Sequence, residues 1–523
     1  MSRRIAGIVL LLATTAQGQV AGWSIPTTAA GDTLIEGRRY RRVAVELLVD
    51  ALTSDRQVSL EGVAIIGPLN IARWVDTLRA ELHFTDVHIA SEVNVNGVTI
   101  VAPMHLRGCT FASGLSGLRT QFTRGVDLTG SRFMRHVALK GASFADSSTF
   151  DGARFHGTLS LIDARFTAPV SFRGASFSNG AYFEDAVMTE ADFEDAIFEN
   201  VTSFRRTRFT GPATFAAARF YAQSWFWNSH FAGSATFDDI KVIAQISFRE
   251  MVVDGEASFR KSSFVYPASF VRANFHGKTT FVGSRFKRDA DLSAVHFRQG
   301  VRLHAAFWQN LDLREARGPW LELKGPPPAA PGSPVENVLS DTSVVLLQGL
   351  AFDKLRVRWS DLAGRLAADD AGTAGLEGVY AYLGWQFREQ GLAGDASACA
   401  MDWLQRRASS MPWTEPGRWA SEFLWVTTGS GRQPHRLGIW TLAVLLLFAA
   451  AYRFVGGAAA KPEPWGRCLR RSATAFLRLL PVSPRTHAHD CTTGVRWLQL
   501  LESLLGWVTL ALFVAVVTVH MLL

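Results

Sequence analysis

Phenylalanine recurs through the middle of this chain at alternating steps of five and six residues, and that rhythm limits the possible folds more than any other feature. From Phe144 to Leu303 it resolves into two interleaved ladders, each with a period of 11. One runs Phe193, Phe204, Phe215, Phe226, Phe237, Phe248, Phe259, Phe270, Phe281, Leu292 and Leu303; the other runs Phe198, Phe209, Phe220, Phe231, Val242, Val253, Phe264, Phe275, Phe286 and Phe297. Upstream the alternation continues through Phe144, Phe150, Phe155, Leu161, Phe166, Phe172, Phe177, Phe183 and Met188, with one step shortened to 10 residues on entry to Phe193 and Phe198. Alanine often stands two positions before the large residue, as at Ala191, Ala213 and Ala235, and glycine often stands two after, as at Gly157, Gly211 and Gly233. A chain of 523 residues with 36 Phe against 7 Tyr, and with 44 Gly, fits a repeat whose interior is one stacked residue type.

A period of 11 also suits a right-handed helical coil. Frequent glycine, with Pro212 and Pro267 inside the pattern, argues against a helix. Two units closing one coil of 22 residues would set each ladder residue about 4.8 Å above its equivalent, the spacing of neighbouring strands. Phe and Ala then fill the interior while the residues between them point outward. The fragments ARF ending at Phe155, ASF at Phe177, ADF at Phe193, ATF at Phe215 and ANF at Phe275 resemble the pentapeptide-repeat family, whose unit places a small residue two positions before a central Leu or Phe. The resemblance implies a mainly β fold, a right-handed quadrilateral β-helix with four short faces per coil. Here one residue is added to every second unit, a variant associated with Phe-rich members. The solenoid is expected over 58–318, most regular over 144–303, behind an N-terminal cap over 19–57. Some 11 or 12 coils would give a rod of roughly 55 Å.

The ends of the chain point to a membrane. Arg3 and Arg4 precede the apolar run Ile5 to Ala13, and small residues at Ala16 and Gly18 suit a cleavage site, so 1–18 is expected to be a signal peptide, with an uncleaved N-terminal anchor as the alternative. Two apolar stretches, 437–455 and 498–523, are expected to be transmembrane helices. The loop between them, 456–496, is rich in arginine and is expected on the cytoplasmic side. That orientation would place the solenoid on the periplasmic or extracellular side of a bacterial inner membrane. After the solenoid, 325–334 is a Pro-rich linker, and 340–432 holds strand, a helical hairpin and a juxtamembrane segment. The hairpin and the Trp-rich approach to the membrane resemble the distal part of membrane-attached, channel-like pentapeptide-repeat proteins.

Chemistry is sparse. Catalytic and phosphate-binding motifs do not occur, so no enzyme activity and no cofactor is expected. The cluster His487, His489, Asp490 and Cys491, with Cys468 across the same loop, offers ligand types without the spacing of a known module, and no metal site is assigned to it. The four cysteines are far apart and lack CxxC spacing, so neither a disulfide framework nor a structural zinc module is indicated. Thr427 to Gly431 compares with a potassium filter, yet it precedes the first span and lacks the tyrosine. Two surface features remain. Trp225 and Trp227 flank core Phe226 and should face outward with Tyr221 and His230 nearby, a candidate partner-binding patch, unless the helical hairpin covers it. Glu184, Asp185, Glu190, Asp192, Glu194, Asp195 and Glu199 form a run without a base, either a solvated face or a patch for a cation or basic partner. Formal charge is +8 overall, but residues 144–317 hold 20 Lys+Arg and 19 Asp+Glu, so DNA mimicry and nucleic-acid binding are disfavoured. The expected role is a membrane-anchored scaffold for an unknown protein or envelope partner. The alternative is a channel-like or ion-transport protein with a regulatory solenoid.

Overall fold

The computed structural model describes residues 32–35, 37–53, 57–328, 337–368, 373–415, 418–419, 422, 434–455, 464–476 and 493–522. The signal-peptide segment, the Thr427 to Gly431 stretch and the His487 to Cys491 cluster lie outside them. Two units divide the chain near residue 369.

The first unit is a parallel β-solenoid. One representative coil contributes Val126–Asp127, Arg132–Phe133, Val137–Ala138 and Ser143–Phe144, and Ser148–Thr149 of the next coil pairs in parallel with Val126–Asp127. The four strands define four faces, called first to fourth in that order. The second and third faces hold 14 and 13 strands. The first and fourth merge into one 25-stranded sheet, because Arg317–Lys324 pairs with both His296–Phe297 and Val301–His304. The pairing therefore spans about 13 coils, more than the 11 or 12 read from the sequence, which gives roughly 60 Å at the strand spacing.

The extra coils lie at the two ends. An antiparallel hairpin, Asp32–Ile35 with Arg38–Ala44, joins Val63–Ile66 on the second face. Helix Glu46–Leu52 buries Leu48, Ala51 and Leu52 over this end of the core. At the other end Val345–Leu346 pairs with Leu311–Asp312, and Ala351–Arg356 pairs with Arg317–Lys324. Strand pairing thus continues beyond residue 318, and the chain re-enters the solenoid after the Pro-rich segment. A proline cannot donate to a ladder, but strands on either side of a Pro-rich stretch can still pair.

The core explains the five-and-six rhythm. Strands on the first and third faces are followed by a four-residue corner containing a residue with positive φ, found at Asp163, Gly174, Asp185, Asp195, Arg206, Ala217, Asn228, Asp239 and Glu250. This residue lies within the five-residue steps, as Asp195 does between Phe193 and Phe198, whereas the six-residue steps, as from Phe198 to Phe204, run round the other two corners. Each 11-residue ladder splits into two columns of 22-residue period, giving four columns in all. Within a column the rings stack, as for Phe193 and Phe215 at 4.8 Å and 3°. Between the first-face and third-face columns they meet edge to face, as for Phe204 and Phe215 at 5.2 Å and 87°. Both geometries suit the aromatic quadrupole. Buried hydroxyls replace some of the small residues and bond to carbonyls of the preceding coil, as Thr207 does to Phe183 O at 2.7 Å and Ser262 to Phe237 O at 2.6 Å.

The second unit is helical. Thr373–Glu389 and Ala393–Ser410 form a hairpin whose buried face is Leu376, Val379, Tyr380, Leu383, Gln386 and Phe387, at helical spacing. Tyr380 donates to Asp402 across it, and Arg406 holds Asp402 at 3.0 Å. Three further helices, Pro434–Val455, Trp465–Phe476 and Thr493–Leu522, pack on one another. The stretch His435–Phe454 is long and apolar enough to cross a membrane; Trp497–Ala511 is a shorter apolar stretch among the described residues. Trp465–Phe476 lies in the basic loop and turns Cys468, Ser472 and Ala475 inward. Its Ser472, together with Tyr452 of the first long helix at 2.6 Å, hydrogen-bonds the fully buried Glu502 of the second.

Candidate functional site

On a solenoid the side chains free for function are those at outward strand positions and in corners. Phe226 is core, so its neighbours are forced outward, and the two tryptophans meet with ring centroids 6.1 Å apart at 52°. Trp227 sits in the corner after the third face and is 37% exposed. Trp225 lies on the third face and is only partly exposed, with the Arg205 guanidinium 5.6 Å from its ring centre. The remaining members spread away from this pair. Tyr221, 43% exposed, follows Arg219–Phe220 of the second face. His230 belongs to the fourth face, where it binds Asp254 at 2.8 Å, and Asp254 in turn binds His276 at 2.8 Å. The compact element is therefore Trp225, Trp227 and Arg205.

The acidic run changes character once the coils are stacked. Glu184 is buried and meets Arg205 at 3.5 Å. Asp185 receives Arg206 at 2.7 and 2.8 Å, and that bidentate pairing holds its carboxyl below the usual aspartate range. Glu194 meets Arg173 at 3.0 Å. Asp192 accepts from the backbone N–H of Glu194 at 2.8 Å. The arginine partners come from adjacent coils, 21 residues away in sequence. A linear scan of the acidic stretch misses them; an offset of one coil finds them. Glu190, Asp192, Asp195 and Glu199 are the members for which no ion pair is found among the described residues.

A second feature escaped the sequence reading. An open groove of about 820 Å³ runs along the first face, from His105 and Arg107 to Thr236. Its floor is the outward column Asp127, Thr149, Ser171, Asp192, Thr214 and Thr236, one residue per coil. The signal was a polar position every 22 residues, hidden by the louder phenylalanines. Cys109, Cys399 and Cys468 are buried and form no disulfide among the described residues, and burial pushes the Cys109 thiol up to about 12, which disfavours its thiolate.

Together these observations define a four-sided β-solenoid whose distinctive surface chemistry is aromatic, hydroxyl and paired charge. The profile of pentapeptide repeats (9 copies) matches residues 161–207 and 193–241, which lie among the most regular coils, so this part of the solenoid carries pentapeptide repeats. No curated protein and no solved structure matches the chain.

Proposed function

We propose that this protein is a membrane-anchored, non-enzymatic scaffold, whose solenoid is a rigid interaction module on the external side of a bacterial inner membrane. The observation that carries this reading is the Trp225–Trp227 pair braced by Arg205. Two large aromatic rings are held at the surface by a stacked core, and aromatic and arginine side chains of this kind dominate binding energy at protein interfaces. Anchoring rests on His435–Phe454, with the Thr493–Leu522 helix beside it. The orientation rests on the basic loop between them.

The direct experiment compares partners cross-linked in intact cells by the parent chain and by Trp225→Ala, Trp227→Ala, with unchanged melting temperature as the control for folding. Selective loss of particular cross-links supports the patch; an identical cross-link profile removes it as the binding site. Alkaline carbonate extraction should leave the full chain in the membrane pellet and release a chain ending before residue 434.

One observation favours a second reading, an ion-conducting module with the solenoid as regulator. A short amphipathic helix packs against two long apolar ones around a buried carboxylate, Glu502. Ionisable groups in such positions are costly and are characteristic of ion or proton paths. Ion flux in proteoliposomes that Glu502→Gln alters would favour this reading over a passive anchor.

A further inference from the structure

At the N-terminal end of the first face lies an arrangement that neither the core columns nor the aromatic pair uses. Leu82–Thr85 and Met104–Arg107 pair in parallel with His83 opposite His105, so the two histidines hold the same outward position on consecutive coils. Their rings lie 4.7 Å apart at 37°. Glu81 is two residues before His83, on the same side of the strand, and its Oε1 is 2.7 Å from His83 Nε2. One ligand atom from each of the three residues lies within 4.8 Å of the other two, and all three side chains are partly buried.

We propose that Glu81, His83 and His105 form a binding site for a divalent transition-metal ion of the zinc class. Two ligands about 2.1 Å from a tetrahedral ion stand about 3.4 Å apart, so modest side-chain rotations close the set with the backbone in place. That backbone is well fixed: the paired strands here are four residues long where most coils have two, and Val58 N donates to Glu81 O at 2.8 Å. Two imidazoles with one carboxylate suit zinc and its neighbours, whereas calcium and magnesium select all-oxygen sets. The nearby cation that would oppose a metal ion is already neutralised, because Arg107 is held by Asp127 at 2.5 Å. Three protein ligands leave one coordination position for water or a ligand, the pattern of open rather than closed zinc sites. His105 also lines the start of the polar groove, so the ion would border it.

The test is calorimetric titration of the purified full chain with zinc chloride alone, followed by the visible absorption of added cobalt(II). The expected result is one equivalent bound per chain, with cobalt bands of a low-coordinate centre. His83→Ala and His105→Ala should each weaken binding at least about tenfold. Melting without metal should change little, since all three side chains are only partly buried and lie outside the hydrophobic core. Should the alanine variants melt lower, His105→Gln, which retains a polar side chain there, must still lose the cobalt bands. Failure of the parent chain to bind zinc overturns the proposal. So does unchanged affinity in the His83→Ala, His105→Ala chain, which would assign the metal to another segment such as His487 to Cys491.

Discussion

Gly233 sits where the fourth face turns into the first, stacked in a column with Gly211, Gly255 and Gly277. A Cβ at Gly233 would lie 2.5 Å from the carbonyl carbon of Gly211 and 2.6 Å from Pro212 N, both backbone atoms. Neither can rotate aside, so Gly233→Ala should destabilise the solenoid by about 1 to 3 kcal/mol, as overpacking does, and lower the midpoint of urea unfolding. A charged residue on the surface gives a smaller effect with a definite pH dependence. Arg206 depresses the pKa of Asp185, so the pair's contribution is present above the unfolded-state pKa of about 4 and is lost as pH falls through the lower folded-state value. Asp185→Asn should therefore cost less than about 1 kcal/mol near neutral pH, after solvent screening. The difference between the two proteins should vanish in acid. A gap that persists at the acid end of the titration would mean that Asp185 acts through packing rather than charge.

Single positions become elements through the columns, and there the interior changes composition along the chain. The column Phe150, Phe172, Phe193, Phe215 continues backward as Leu128 and Leu106. A void of about 50 Å³ lies among these smaller side chains, bordered by Leu128, Leu139, Phe144 and Phe150. Leu128→Phe should extend the ring stack into it and raise stability by about 0.5 to 2 kcal/mol, a gain typical of cavity filling; a lower melting temperature would show that the void is too narrow for a ring. This gradient also explains what could be read from sequence. The coils over 144–303 were legible because ring and alanine repeat on every element. Those over 58–143 were legible only in outline, because Val, Ile and Leu fill the same positions without a distinctive spacing. The end strands at 345–346 and 351–356 belong to the solenoid by hydrogen bonding rather than by repeat, and so carried no periodic signal. Site chemistry was least legible of all. His83 with His105, and Glu184 with Arg205, become neighbours only when residues one coil apart are laid side by side, a distance that local motif reading does not span.

Over the whole solenoid each coil touches only the coils before and after it, so stability is close to a sum of coil terms and nearest-neighbour terms. Long-range cooperativity then depends on unbroken columns. Phe231 tests this because it stacks on Phe209 at 4.4 Å on one side, while its pairing partner on the other is the smaller Val253. A lysine there would place a charge in a site that is fully buried, beside the edge-to-face contact with Phe237 at 5.9 Å. Burial of a side chain this size contributes about 1.5 to 3 kcal/mol, and an unpaired charge adds to the loss. Phe231→Lys should therefore open the coils around it while the coils near residue 100 keep theirs. Hydrogen exchange read coil by coil is the measurement: protection should fall most at 209–253 and recover with distance in both directions. Uniform loss of protection from Val58 to Leu323 would show that the rod unfolds as one unit and that the nearest-neighbour picture fails. Full retention would mean that position 231 is not in the column, since a lysine tolerated there could not be surrounded by stacked rings.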